Sequence, residues 1–443
     1  MAWLKASEVP PESVNEHGQI TDEKILNRNR IKFGIGTVLY QSEESGIGPI
    51  PTAIIRALGG TQFHLGIYGA VGGIGNMFQW VGTLLLTKFK SNQKAMIVSM
   101  ILGLITAVCI TAVLLLGTSP HFKSTALWLY LPLVLIFYSI GGVQWNIESS
   151  WIGDLVPKNR LGWFTSIKWV IGVFGIMVFA YAFARLGDWR PTLKTFSLVY
   201  LVFAVSFVVA AILYMTSTDR VPKSANFLTQ GATKHERLNY KAVPLWTYIL
   251  FYVFWSGGRT TMFTFTFAYM MDTFGYSMSK MAVIGIVQFV VSMIMLTIMG
   301  KFTDHSGHRK PLIIVSGIVA FCMLLWVASA WWGIVALIAY AVVNGAAGHT
   351  HSMLAINYSL EIFPDKGRSA YLALSRFFIG GAAVTFTILG GKALDAFKGF
   401  HIQLWGATLN QYHALFIVCS IFTLCCIFPL IYIGKRTVDS LWD

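Results

Sequence analysis

Asp154-Leu155-Val156-Pro157-Lys158-Asn159-Arg160 returns later in the chain as Glu361-Ile362-Phe363-Pro364-Asp365-Lys366-Gly367-Arg368. Pro157 and Pro364 stand 207 residues apart, close to half of the 443-residue length. Each copy leads into an apolar run that carries one cation and then a glycine, Lys168 with Gly172 and Arg376 with Gly380. Those pairs are offset by 208, as one extra residue in the second loop requires. A chain that repeats itself at half-length is built from two copies of one unit, and its work is expected between them.

The repeated unit is a membrane unit. The sequence is 55% hydrophobic and 12% charged, half the charge of a soluble domain, with a mean hydropathy of +0.63. Apolar runs of the length that crosses a bilayer fall at 33–57, 63–87, 95–117, 126–153, 161–184, 195–215, 244–270, 281–300, 311–331, 334–361, 371–393 and 411–433. With the amino terminus inside, cytoplasmic segments hold 22 of the 33 Lys and Arg. That bias places both termini in the cytoplasm and makes the +14 charge a topology signal, with no nucleic-acid partner. Cys109, Cys322, Cys419, Cys425 and Cys426 all sit in apolar runs and read as small core residues rather than disulfides or metal ligands. Residues 1–32 lack the apolar core of a cleavable signal, so the first span is expected to direct insertion. The triplet Asn357-Tyr358-Ser359 lies inside a span and is not a glycosylation site, which leans toward a bacterial inner membrane.

A polar stretch at 216–243 separates six runs from six. The expected fold is therefore an all-α integral membrane protein of twelve transmembrane helices in two pseudo-symmetric six-helix bundles. Its parts are a cytoplasmic segment (1–32), an N-terminal bundle (33–215), a linker (216–243), a C-terminal bundle (244–433) and a tail (434–443). Residues 1–30 are expected to form a partly ordered surface segment, either with an amphipathic helix around Asp22–Arg30 or disordered.

The loop Gly300-Lys301-Phe302-Thr303-Asp304-His305-Ser306-Gly307-His308-Arg309-Lys310 joins spans 8 and 9. Its glycines permit close helix approach, and Asp304 and Arg309 are placed to pair with neighbouring helix ends. This arrangement, with the Pro/Arg loops after spans 4 and 10, resembles the major facilitator superfamily over essentially the whole chain. The resemblance implies that the first and fourth helices of each half line a central cavity. It also implies a cytoplasmic gate, to which Asp154, Arg160, Asp304, Arg309, Glu361 and Arg368 are assigned. The first half departs from the pattern: four residues after Gly82 stands Leu86 in place of an acid, followed by Lys88 and Lys90, so a gating pair at that loop is not carried over.

Ionisable groups at membrane depth mark sites, because burying them in hydrocarbon costs at least about 2.5–3.5 kcal/mol. Span 1 carries Glu43 and Glu44 just before Gly46, Gly48, Pro49 and Pro51, where the helix should break. Adjacent residues point about 100° apart, so one glutamate faces the cavity and serves as proton carrier while the other meets a neighbouring helix. Span 4 aligns Gln144, Glu148 and Trp151; span 7 aligns Trp255 and Arg259; span 10 aligns Asn344 and His351. These seven are the substrate-binding candidates, with Glu148 also a candidate for proton coupling. Glu148 has the competing role of an ion pair with Lys168, and His351 that of a packed core histidine. Lys168 and Arg376, at equivalent places in spans 5 and 11, are read as cations guarding the inner end of the cavity.

No serine elbow, zinc helix or Walker loop is present, so an enzyme is not expected, nor a metal or cofactor. The glycine-rich Gly69–Gly75 run lies in a span and suits helix packing. The leading expectation is an ion-gradient-driven secondary transporter, monomeric and coupled to H+ with Na+ as the alternative. Buried acids and bases balance and tryptophans stand close by, so a sugar or glycoside importer is favoured slightly over an organic-anion carrier. A non-transporting membrane sensor is the third reading.

Overall fold

The computed structural model describes residues 13–15, 19–45, 48–219, 239, 241–306, 308–363 and 368–433; side chains at 41–45, 76, 158, 159, 162, 166, 296, 297, 299–306, 349, 360, 368–370, 373 and 433 lie outside the description. Glu43, Glu44, Asp304 and Arg368 are therefore placed on helices without an account of their side chains.

The described chain is almost entirely helical. Its elements are α1 (Glu23–Ser45), α2 (Ile50–Ala57), α3 (Gln62–Met77), α4 (Trp80–Phe89), α5 (Asn92–Leu116), α6 (Lys123–Leu155), α7 (Lys158–Trp189) and α8 (Leu193–Met215). After the linker come α9 (Val243–Phe274), α10 (Met278–Ser306), α11 (Arg309–Cys322), α12 (Leu325–Trp332), α13 (Ile334–Ile362), α14 (Arg368–Ala396), α15 (Gln411–Leu424) and α16 (Ile427–Ile433). One antiparallel hairpin, β1 (His401–Leu404) with β2 (Ala407–Asn410), interrupts the all-α pattern between α14 and α15. Among the described residues nine helical segments are long and apolar enough to cross a membrane, and they fall in the third to sixth and eighth to twelfth runs. The first run is divided into α1 and α2 at Gly48 and Pro49, where the glycine adopts φ +51° and the proline caps the new helix. The second run is divided between Met77 and Trp80.

The repeated Pro/Arg loops end helices in the same way. Val156 (φ −106°, ψ 129°) stops α6 and Phe363 (φ −90°, ψ 132°) stops α13. The ring of a following proline drives the preceding residue out of the helical region, so Pro157 and Pro364 fix both ends.

The chain divides into two compact units: Met1–Gly59 with Ile74–His235, and Gly60–Gly73 with Glu236–Asp443. Most of α3, residues 62–73, thus groups with the second unit. In the first unit α1 packs on α7 and α8, α5 on α6 and α8, and α4 on α6. The second unit repeats the scheme, with α9 on α14 and α15, α11 on α13 and α15, and α10 on α13. The sequence repeat is therefore a repeat of helix pairings.

The end of unit 1 at which α6 stops is covered by Gln19 and Ile20. Ile20, fully buried, donates its N–H to the Leu155 carbonyl (3.0 Å), and the Gln19 amide reaches the Val156 carbonyl (3.1 Å). These bonds satisfy carbonyls that the end of α6 leaves open. Asp22 then caps α1 by accepting from the Lys24 amide (2.7 Å). The stretch around Asp22–Arg30 is helical and forms the first turns of α1, which continues without a break into the first span.

Candidate functional site

Unit 1 holds a sealed carboxylate. Glu148 on α6 has no exposure, and its Oε2 accepts from Tyr40 (2.9 Å) and from the Lys168 ammonium on α7, itself 4% exposed. Its Oε1 accepts from Tyr214 on α8 (2.7 Å). The Thr37 hydroxyl lies 3.0 Å from the same oxygen and 2.8 Å from the Phe33 carbonyl, so its one proton is shared. Tyr214 reaches the carboxylate because α1 has no side chain at Gly36: a Cβ there would stand 2.5 Å from the tyrosine oxygen. The Lys168 ammonium also lies 5.7 Å from the Trp145 ring and 5.4 Å from the Trp169 ring. Taking two charges out of water is compensated only when every lone pair finds a donor, and here the donors come from three helices, α1, α7 and α8.

Gln144 and Trp151 share this interior. Gln144 is fully buried and donates to the Ser99 carbonyl (3.3 Å), leaving its Oε1 without a partner. Trp151, also fully buried, donates to the Thr218 carbonyl (2.9 Å) and packs edge-on against Phe33 at 5.0 Å. The three aligned residues of span 4 do share a helix face, and unit 1 packs over that face.

Unit 2 assembles the other four substrate-binding candidates. The Trp255 ring on α9 lies flat on the His351 ring of α13, with centroids 3.2 Å apart and planes 7° from parallel. The Arg259 guanidinium, one turn further along α9, is half-buried and 5.4 Å from the Trp255 ring. Gly348 brings α9 and α13 together: a Cβ on it would stand 2.7 Å from Arg259 Nη2 and 2.9 Å from Asn344 Oδ1. The cluster is electrically and chemically incomplete. Arg259 forms no ion pair among the described residues, and both ring nitrogens of His351 and the Asn344 Oδ1 are buried without a hydrogen-bond partner.

The gate candidates lie at the ends of the repeated loops. Asp154 accepts from Asn92 (3.2 Å), Glu361 pairs with His308, and Asn357 meets the other ring nitrogen of His308 (3.2 Å). Arg309 donates to the Leu430 (2.9 Å) and Ile431 (3.3 Å) carbonyls at the end of α16. Arg160 is half-buried. Lys168 and Arg376, equivalent in sequence, differ in surroundings: Lys168 is buried on Glu148, whereas Arg376 is exposed and forms no ion pair among the described residues. Ala355 stands where unit 1 has Glu148, so the second cation has no corresponding acid.

Sequence reasoning missed a polar cluster in unit 2. Asp395, at the end of α14, accepts from the amides of Gln62 (3.1 Å) and Phe63 (2.8 Å), capping α3 from outside that helix. The Gln62 side chain donates to Asp272 (3.3 Å) and to Tyr412, and Tyr412 donates to Asp272. An acid near a span end reads as a solvated loop charge, and only the contact across 333 residues reveals the cap.

Two units of membrane-length helices with one repeated set of pairings, and a charged pair buried inside the first, are the architecture of a multi-pass membrane protein. The chain belongs to the Major Facilitator Superfamily, whose family model matches residues 33–332 and 249–441. Among solved structures it is similar to a mutant of the nucleoside transporter NupG (12% identity, TM-score 0.70, covering 91% of this chain and 99% of that one). It is similar also to the peptide transporter POT in complex with sulfate (13%, 0.68, 97% and 98%) and to a D-xylose-proton symporter (15%, 0.67, 89% and 96%). At these identities the likeness is one of fold. No curated protein matches the sequence.

Proposed function

We propose that this protein is a secondary active transporter that carries a small polar solute by alternating access, driven by protons, in a bacterial inner membrane with both termini cytoplasmic. The observation that carries the proton reading is the buried Glu148–Lys168 pair. A proton taken up by Glu148 would release the Lys168 ammonium and redirect the hydroxyls of Thr37, Tyr40 and Tyr214. One protonation event would then reset contacts on α1, α6, α7 and α8 together. The similar D-xylose-proton symporter pairs a solute with protons by its name, which supports the same coupling here. Glu43 or Glu44, beside the break between α1 and α2, is the second proton carrier, with Asp154, Arg160, Asp304, Arg309, Glu361, Arg368, Lys168 and Arg376 in the gate.

The test is uptake of labelled sugars, glycosides and carboxylates into proteoliposomes with an inward proton gradient. Wild-type protein should accumulate one of these classes, unchanged when Na+ is replaced by choline. Glu148→Gln should lose accumulation and retain counterflow. Full accumulation by Glu148→Gln would remove coupling from that residue and leave it to Glu43 or Glu44. Absence of flux for every solute, with ligand binding intact, would favour the sensor.

A further inference from the structure

We infer that the transported solute is a hydroxylated carboxylate, its carboxylate held by Arg259 and its hydroxyls by Asn344 and His351. The inference rests on the transport reading and names the substrate of the α9–α13 cluster.

Charge comes first. The sugar expectation assumed that buried acids balance buried bases, but Glu148 is consumed by Lys168 in unit 1. Arg259 is left half-buried at the middle of α9 with no ion pair among the described residues. A guanidinium at membrane depth is held there at a cost, and a bound carboxylate matches its planar fork with two parallel hydrogen bonds.

Hydrogen-bond polarity then narrows the anion. Asn344 Oδ1 is an acceptor without a donor, and neutral His351 offers one donor and one acceptor, both unmet. A bare carboxylate has acceptors alone and leaves Asn344 Oδ1 unsatisfied, a penalty of roughly 1–3 kcal/mol for a buried group. The solute must therefore also bring N–H or O–H donors. An ammonium would bring positive charge beside Arg259, so hydroxyls fit better. Gly348 sets the spacing, because the missing Cβ lets the guanidinium and the Asn344 oxygen approach one point of α13.

Aromatic stacking, the usual hold on a neutral sugar ring, is already taken. One face of Trp255 is covered by His351, Trp151 is buried against Phe33, and Trp145 lies against Trp169 at 5.3 Å beneath the Lys168 ammonium. Because Trp255 seals His351 in this state, the ring meets the solute after that stack slides.

The experiment uses three matched probes on purified full-length protein in nanodiscs, read by calorimetry: D-glucuronate, D-glucose (the same ring without the carboxylate) and cyclohexanecarboxylate (the carboxylate without hydroxyls). D-Galacturonate, gluconate and lactate extend the acid set. At least one hydroxy acid should bind, with glucose and cyclohexanecarboxylate at least about 10-fold weaker, the factor that one charged or two neutral hydrogen bonds carry. Arg259→Gln should weaken the acid about 10- to 100-fold while Arg259→Lys retains part of the affinity. Asn344→Leu should narrow the gap between glucuronate and cyclohexanecarboxylate. Equal binding of glucose and glucuronate, or no binding by any hydroxy acid, would overturn the inference. Counterflow separates the two readings: exchange of a neutral solute alone sinks the acid assignment and leaves transport standing. A hydroxy acid that binds through Arg259 without flux sinks transport and leaves the site standing.

Discussion

Lys168→Met should destabilise unit 1 more than the double variant Lys168→Met/Glu148→Gln. Removing the ammonium alone leaves a fully buried carboxylate facing Thr37, Tyr40 and Tyr214. Breaking a buried pair from one side costs about 3–5 kcal/mol, because the remaining charge has no compensation. Adding Glu148→Gln removes that charge at nearly constant shape. The amide oxygen keeps Tyr214 and Thr37, and the amide nitrogen can donate to Tyr40, so the double variant lacks about one or two neutral hydrogen bonds, roughly 1–2 kcal/mol. The second substitution should therefore return about 2–3 kcal/mol, the difference between those costs. The assay is a double-mutant cycle of denaturant unfolding in mixed micelles, followed by Trp fluorescence and repeated by circular dichroism to check two-state behaviour. If Lys168→Met costs under about 1 kcal/mol, the range of a surface pair, or the double variant is the least stable of the set, the pair is not the isolated buried charge described here.

Gly348→Ala places a methyl 2.7 Å from the Arg259 guanidinium; hydroxy-acid binding should fall by about 10-fold while unfolding shifts by less than about 1 kcal/mol, since a flexible side chain can yield. Unchanged affinity would show that Arg259 does not need that space. Asp395→Ala frees the Gln62 and Phe63 amides, which should exchange hydrogen faster by the factor that about 1–2 kcal/mol of lost capping gives; unaltered exchange at both would remove Asp395 as the cap. Lys32, just before the first span, is drawn down to about 8 chiefly by burial and further by Arg28, and donates to the Thr216 carbonyl. The unfolded chain then binds the extra proton between pH 8 and 10.5, so stability should rise with pH across that window, and Lys32→Met should flatten the rise. A slope that survives the substitution would assign it to another group.

Reading the sequence reaches helix faces and falls short of helix neighbours. The helix ends at Val156 and Phe363 were legible, because a proline next in sequence acts on the residue before it. The break at Gly48 and Pro49 was legible for the same reason. Spacing also aligned Trp255 with Arg259 and Asn344 with His351, and the structure brings all four together. The same spacing aligned Gln144, Glu148 and Trp151, yet period gives a face without saying what covers it. Thr37, Tyr40 and Tyr214 reach Glu148 across 111, 108 and 66 residues, and a hydroxyl on an apolar helix carries no pattern of its own. Asp395 is hidden for the reverse reason: its partners are backbone amides, which every residue except proline supplies.

The repeat sharpens what each unit does, because equivalent positions have been given opposite chemistry. Offset by 207, Gln144 corresponds to His351 and Glu148 to Ala355. In unit 1 the amide finds the Ser99 carbonyl and the acid finds an ammonium and three hydroxyls; in unit 2 the imidazole has neither nitrogen bonded, and the acid is absent. Satisfied buried groups hold a fold together, while unsatisfied ones cost free energy in every state where they stay empty. Of its three aligned residues unit 1 leaves the Gln144 Oε1 unpaired, whereas unit 2 leaves both His351 nitrogens and the Asn344 Oδ1 unpaired and Arg259 without an ion pair among the described residues. Unmet donors and acceptors beside one cation are what the proposed site would hold between solutes. Coupling is therefore best sought at the filled cluster of Glu148 and Lys168, and recognition at the unfilled one of Arg259, Asn344 and His351.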